Sequence, residues 1–393
     1  MDCVKEFKRN LAYHFSEVLD YPFARPKWVY ISLSHKCTYA CRMCGVVNIL
    51  QGYELPGETV CRAVDEIASW EWGSTVVLTG GEPFLRKDIF GIITHAVASG
   101  VNTEAVSNGS LIDEDMAARI VSSGLKNIAV SLDGAVAGTH DYFRGKGAFA
   151  AALRAVENLA AAKKKQGKGP QISVWSTIMK ENIPELSRMP ALTASAGAEC
   201  FVLHPVIVAQ DDMQRTGSNA PFWPGNKEVG VLREQIEILS TPSGGCGIAV
   251  FLHEPRLWED YFSGHLDKRQ WKCNPFVFIN IGPDGEIRSC GESFGNIKDA
   301  GITGALFTRE AAAARKRMKR CGKPCLQTCW AHPDADSLPG MTGKLVKQSS
   351  GMPERAAMLR ECLAELREYK NILKKGSVSD SAINNVEQKI KGG

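Results

Sequence analysis

Cys37, Cys41 and Cys44 stand in the stretch HKCTYACRMCG, a C-x3-C-x2-C spacing just after an apolar, strand-like run. Soft thiolates suit iron–sulfur clusters. Three of them hold three irons of a cubane [4Fe–4S] cluster and leave the fourth iron open to a small chelating molecule. The same triplet also serves zinc when a remote fourth ligand completes the shell.

Other groups able to do chemistry end apolar runs further along. Thr79-Gly80-Gly81-Glu82-Pro83 follows TVVL, Val106-Ser107-Asn108-Gly109 ends a third run, and Val130-Ser131-Leu132-Asp133-Gly134 a fourth. Each alone is compatible with an ordinary turn. In this order they resemble the radical S-adenosylmethionine (radical SAM) superfamily, whose pattern is a C-x3-C-x2-C loop, then GGEP, then TNG-like and SLD-like strand ends. The resemblance spans roughly residues 28–210.

The resemblance implies that Cys37, Cys41 and Cys44 hold a [4Fe–4S] cluster whose open iron is chelated by S-adenosylmethionine. Reductive cleavage then gives a 5′-deoxyadenosyl radical that takes hydrogen from a substrate. Met43 resembles the residue packed on adenine, and Gly80 and Gly81 allow close backbone approach. Glu82 offers a carboxylate to the methionyl amine, while Ser107, Asn108, Ser131 and Asp133 face the ribose, the methionyl carboxylate or the substrate. No catalytic side chain is assigned. His140-Asp141-Tyr142-Phe143-Arg144-Gly145 resembles an H-D-x-x-R-G segment of many members; Arg144 either forks onto a carboxylate or, with His140, stitches the loop down.

The elements that must position these groups alternate. Strands are expected at 28–33, 75–80, 102–107, 127–132, 171–178 and 199–206, with helices at about 58–71, 88–99, 113–123, 147–165, 184–196 and 226–240. Six strand–helix units predict an α/β fold, a partial (β/α)6 TIM-like barrel with its site at the C-terminal strand ends. An N-terminal helix (1–27) precedes the barrel (28–240), with apolar groups at Val4, Phe7, Leu11, Phe15 and Val18. That stripe docks on the barrel or touches a membrane surface or lipid-like substrate.

Residues 241–345 change texture and are expected to form a small α+β hairpin-and-helix domain holding an auxiliary cluster. The hairpin comprises 276–281 and 286–290, and an Ala- and Arg-rich helix follows at about 308–320. The spacing Cys273–x11–Gly285–x4–Cys290, followed by Phe294-Gly295-Asn296-Ile297, resembles the SPASM/Twitch extension. Cys321, Cys325 and Cys329 form a C-x3-C-x3-C run unlike the full SPASM run, which favours the Twitch form with one auxiliary [4Fe–4S] cluster, completed by two of the three. A second auxiliary cluster would need Cys246 and Cys362, and zinc on Cys321, Cys325 and Cys329 is the alternative. Residues 346–393 form a C-terminal helix and polar tail.

Composition narrows the rest. The 393-residue chain carries a formal charge of +4, which gives no reason to expect nucleic acid, and no run of eighteen apolar residues. Thirteen cysteines without an export signal point to metal ligation in an oxygen-sensitive cytoplasmic protein. The expected activity is radical SAM chemistry on a small-molecule, lipid-like or peptide substrate, with a flavodoxin- or ferredoxin-type electron donor. Thirty-six residues before Cys37 are few for a leader-binding domain, which weakens a ribosomal-peptide substrate. The other readings are a peptide-modifying maturase of the same superfamily, a non-catalytic two-cluster electron carrier and, with no cobalamin domain visible, a radical methyltransferase. Neighbouring basic residues, among them Arg309, Lys316 and Arg320, are a candidate dock for an acidic reductase or an ordinary solvated face.

Overall fold

The computed structural model describes residues 9–331, apart from 10–11, 14, 18, 46–52, 71, 207–221, 242–243, 268–271, 322–325 and 327–329. Its spine is a run of parallel strands: β1 (Trp28–Ser32), β2 (Thr75–Thr79), β3 (Asn102–Ser107), β4 (Asn127–Ser131), β5 (Gln171–Ile178) and β6 (Cys200–Pro205), side by side in chain order. Each starts and stops within about a residue of its sequence expectation. Val76, Val77 and Leu78 of β2 are wholly buried, as parallel strands covered on both faces require.

Helices connect the strands: α1 (Gly57–Ala68), α2 (Ile89–Ala98), α3 (Glu114–Ser122), α4 (Ala137–Arg144), α5 (Ala148–Gln166), α6 (Met189–Ser195) and α7 (Asn226–Leu239). Asp113 caps α3 by accepting from the Met116 amide at 2.8 Å. Helix α5 runs between two left-handed glycines, Gly147 (φ +84°) and Gly167 (φ +69°), and carries Lys163, Lys164 and Lys165 in its last turn against the helix dipole. Helix α4 was not expected, because HDYFRG reads as loop.

Parallel register sets the site. Ser32 pairs with Thr79, Ser107 with Val130, Ser131 with Trp175 and Thr177 with His204, so the polar strand ends lie along one rim.

The sheet continues across residue 240. Strand β7 (Ala249–Leu252) pairs parallel with β6. On the far side β9 (Phe278–Ile281) pairs parallel with β1, followed antiparallel by β10 (Glu286–Ser289) and β11 (Glu292–Asn296), a sheet of ten strands among the described residues. A two-stranded piece joins β8 (Lys272–Cys273) to β12 (Trp330–Ala331). Helices α8 (Trp258–Phe262), α9 (Ile297–Leu306) and α10 (Arg309–Arg320) complete the segment. The proposed hairpin segment is thus welded onto the barrel's own sheet. Thr303 N donates to Glu66 Oε2 at 3.0 Å and Trp70 Nε1 to Thr303 Oγ1 at 2.8 Å, tying α9 to α1.

Of the expected N-terminal stripe, Phe15 is described and 2% exposed; Val4, Phe7, Leu11 and Val18 lie outside the described residues. Lys319 on α10 donates to Glu17 O and Asp20 Oδ1 at 2.7 and 3.0 Å, so this segment docks on the protein. The expected helix at 353–374 also lies outside the described residues. Among the described residues no helix is long and apolar enough to cross a membrane.

Candidate active site

The cysteine loop is laced to the strand ends by backbone. Gly81 N donates to Ser34 O and Glu82 N to Lys36 O, both at 2.8 Å, and Arg42 N donates to Phe143 O at 2.8 Å from the end of α4. The two glycines are obligatory here for a reason internal to the chain. A Cβ on Gly81 would stand 2.0 Å from Lys36 O, and one on Gly80 (φ +124°) 2.5 Å from Ser34 O. Arg86, 6% exposed, clamps the same region by donating to Leu55 O at 2.7 Å and pairing with Asp88 at 2.6 Å.

The result is a cavity of about 320 Å³ lined by Cys37, Cys41 and Cys44, with Met43, Gly80, Gly81, Ser107, Asn108 and Ser131. This is the size of a small-molecule pocket (roughly 300–1,000 Å³). Burial pushes the Cys41 thiol up to about 11; Arg144 works against that rise, and Cys44 and Cys37 add to it. Asn108 Nδ2 donates to Thr38 Oγ1 at 3.0 Å and lies 3.5 Å from Cys37 Sγ, a hydrogen-bond donor on a would-be cluster ligand.

Two of the expected site residues turn away from this cavity. Glu82 is 1% exposed. Its Oε1 accepts from Ser107 Oγ at 3.0 Å and Phe84 N at 3.3 Å, and its Oε2 accepts from Asn108 N at 2.8 Å. Glu82 therefore latches the GGEP turn to the end of β3. Asp133 is fully buried, and its carboxylate accepts from Arg144 Nε at 2.6 Å and Thr177 N at 2.9 Å.

Arg144, which does line the cavity, is thus aimed from behind. Burial disfavours its charge, but Asp133 and then Cys41 outweigh that penalty and hold its pKa above the usual value. His140 is fully buried and accepts from Asp133 N through Nδ1 at 2.9 Å. Burial drives its pKa down to about 4.

Sequence reasoning missed Tyr39, Thr177 and His204 on the cavity wall. His204 Nε2 lies 3.3 Å from Thr177 Oγ1, and burial lowers its pKa to about 4, so the wall opposite the cysteine loop carries a neutral imidazole. A polar residue ending an expected strand was the available clue.

The donor set suits an iron–sulfur cluster in kind: soft sulfur, a cationic guanidinium and an amide donor around one space. Among the described residues no three His, Cys, Asp or Glu side chains are gathered as a single-ion shell. In the hairpin segment Cys273, Cys290 and Cys321 are half-buried, and Trp330, next in sequence to Cys329, pairs with Cys273 through β12 and β8. The buried Asn274 Nδ2 and Ser289 Oγ, next in sequence to Cys273 and Cys290, have no hydrogen-bond partner among the described residues, which suits an anionic acceptor there. Cys325, Cys329 and Cys362 lie outside the described residues, and Cys246 is exposed.

Comparison with known proteins agrees with this geometry. The radical SAM superfamily pattern matches residues 31–180. The chain is 36% identical over 198 residues to the mycofactocin maturase MftC of Mycobacterium ulcerans, covering 49% of this chain and 50% of that one. It is 34% identical over 175 residues to the Fe-coproporphyrin III synthase of Methanosarcina barkeri, covering 44% and 42%. The chain thus spans about half the length of the curated relatives it matches. Among solved structures, anSMEcpe with bound AdoMet aligns at TM-score 0.56 and 15% identity over 75% of this chain and 83% of that one. Streptococcus suis SuiB bound to precursor peptide SuiA aligns at 0.53 and 14% over 70% and 62%. At such identity the likeness speaks to the fold, a partial TIM barrel with an added C-terminal segment. The family implies a [4Fe–4S] cluster and S-adenosylmethionine. From the cysteine loop, the glycine strand end behind it and the matched span that contains both, residues 31–180 form a radical SAM domain.

Proposed function

We propose that the chain is an enzyme that binds a [4Fe–4S] cluster through Cys37, Cys41 and Cys44 and S-adenosylmethionine in the adjoining cavity. Once bound and reduced, that pair supplies a 5′-deoxyadenosyl radical able to take hydrogen from an unactivated carbon of an organic substrate. One observation carries the reading: all three cysteines line the same cavity as Met43, Gly80, Gly81, Ser107, Asn108 and Ser131.

The chain's own residues have definable tasks. Arg144 presents a fixed guanidinium, oriented by Asp133, to an anionic group in the cavity. Asn108 donates toward Cys37 and so favours its thiolate. Ser131 and Thr177 offer hydroxyls, and His204 presents an imidazole that stays neutral at physiological pH. Met43 and Val206 supply apolar surface that keeps water from the reacting groups.

The relatives support two substrate classes. Likeness to SuiB, solved with its precursor peptide, supports a peptide substrate, and likeness to Fe-coproporphyrin III synthase supports a porphyrin-type small molecule. The peptide reading is favoured, because a maturase is among the relatives by sequence and SuiB, a structural neighbour, binds a precursor peptide. A single auxiliary [4Fe–4S] cluster on Cys273, Cys290 and two of Cys321, Cys325 and Cys329, and a flavodoxin-type donor, belong to the same proposal.

The test is anaerobic reconstitution with iron and sulfide, reduction, and chromatographic measurement of 5′-deoxyadenosine. The reading expects product from the parent and none from Cys41→Ala. Reconstituted parent that holds its cluster and forms none would refute it, and would return the two-cluster electron carrier as the better account.

A further inference from the structure

The hairpin's open end holds two buried hydrogen-bond donors with nothing to donate to. Asn274 is 1% exposed and follows Cys273 directly; Ser289 is fully buried and directly precedes Cys290. Asn274 Nδ2 and Ser289 Oγ each have no hydrogen-bond partner among the described residues. The other end of the Asn274 amide is engaged, since Oδ1 accepts from Phe276 N at 3.1 Å. The amide is therefore oriented, with its donor side left over. Native proteins rarely bury such groups unpaired, and each exception calls for an acceptor.

Topology brings the two together with the cysteines. Residues 273–277 lead into β9, and Ser289 closes β10, its antiparallel neighbour, so both lie at the same end of the hairpin. Cys290 sits there with φ +51°, a left-handed conformation uncommon for a residue with a side chain. Lys272 and Cys273 pair with Trp330 and Ala331, which bounds the same end. The neighbouring cation is only partly engaged: Arg315 donates to Leu306 O at 2.9 Å and stacks on Phe276 at 5.0 Å, while its Nε lies 3.8 Å from Asp20 and has no hydrogen-bond partner among the described residues.

Resting on the auxiliary-cluster reading above, we propose that Asn274 and Ser289 are positioning donors to an anionic sulfur acceptor, the thiolates or sulfides of a cluster held by Cys273 and Cys290. Hydrogen bonds to sulfur stabilise the more negative, reduced state and raise the reduction potential. The two donors thus make this cluster a better electron acceptor than the bare cysteine set would be. They also couple cluster loading to folding, because the unpaired groups destabilise the empty chain and are satisfied when the cluster is present.

The experiment isolates that cluster in a parent whose Cys37, Cys41 and Cys44 are all alanine. Redox titration followed by electron paramagnetic resonance gives its midpoint potential in the parent, in Ser289→Ala and in Asn274→Leu, each of which removes a donor without adding a charge. A shift to more negative potential in either variant supports the proposal. A potential equal to the parent's in both overturns it and leaves water as the partner of these groups. A parent that takes up no cluster overturns the auxiliary-cluster reading itself, a result distinct from unchanged potentials. Thermal unfolding gives a second readout free of activity: Ser289→Ala is expected to melt higher than the parent without cluster and to gain less on loading. Equal gain on loading in variant and parent counts against the coupling.

Discussion

Glu82 offers the sharpest perturbation, because two roles for it predict opposite results. As a ligand group it would matter only when S-adenosylmethionine is bound. As the structure has it, the side chain is 1% exposed and joins the GGEP turn to β3 through three accepted hydrogen bonds. Glu82→Gln keeps the shape. Its amide oxygen can still accept from Ser107 Oγ and Phe84 N, but its NH2 then opposes the Asn108 N–H, which lies 2.8 Å from the present carboxylate oxygen. Losing one hydrogen bond to a charged group and leaving that amide unpaired costs about 2–3 kcal/mol. For a chain of 393 residues this lowers the melting temperature by roughly 3 °C.

The assay is thermal unfolding of the metal-free chain, followed by S-adenosylmethionine affinity after reconstitution. A pH arm adds a second check. Burial raises the Glu82 pKa above its ordinary 4.5 against the lowering effect of its hydrogen bonds. The native state then holds the proton more tightly than the unfolded one, so this group's contribution to stability declines as pH rises above that value. The glutamine variant lacks this slope. A variant that melts like the parent but loses affinity for S-adenosylmethionine would refute the latch and restore Glu82 as a ligand.

Other consequences are as definite. Gly81→Ala should destabilise by about 3 kcal/mol or more, because its Cβ would stand 2.0 Å from the Lys36 backbone oxygen; Gly138→Ala in the open face of α4 should stabilise by about 0.5–1 kcal/mol. Denaturant melts of both variants check the contrast. Asp133→Asn should lose about 3 kcal/mol and weaken S-adenosylmethionine binding, since Arg144 is left with an uncharged partner at the cavity wall; unaltered affinity would show that Arg144 does not need aiming. His140, with its pKa lowered from 6.5 to about 4, binds its proton more tightly unfolded than folded. Its contribution is therefore intact above about pH 6.5 and lost as pH falls toward about 4. Between about pH 7.5 and 5 that amounts to about 2 kcal/mol, measurable by urea melts and diminished in His140→Gln.

The strand–helix frame was legible because β1 to β6 are apolar runs bounded by turn formers, and parallel strands covered on both faces need such runs. Helix α4 was not, since its eight residues carry polar groups at most positions and begin without a side-chain cap. Strand β7 is four residues long with Ala249 and Phe251 exposed, and β9 joins β1 across some 250 residues of chain. Local periodicity contains neither pairing.

The cavity's cysteines were readable from their spacing, and its glycines and Ser107, Asn108 and Ser131 from the family resemblance of the strand ends that carry them. Orientation was not. Glu82 and Asp133 sit beside cavity residues in sequence, yet both carboxylates point back into the protein, where buried donors require acceptors. Thr177 and His204 escaped notice because a lone threonine and a lone histidine form no spaced pattern. Only the register of β5 against β6 places them together.

The central claim is that Cys37, Cys41 and Cys44 hold a cluster with one iron open to S-adenosylmethionine. Electron paramagnetic resonance of the reduced, anaerobically reconstituted chain tests it most directly. Adding S-adenosylmethionine should change the spectrum of one cluster in the parent, and the responsive component should be missing from Cys41→Ala. A parent spectrum that stays the same at saturating S-adenosylmethionine contradicts the account.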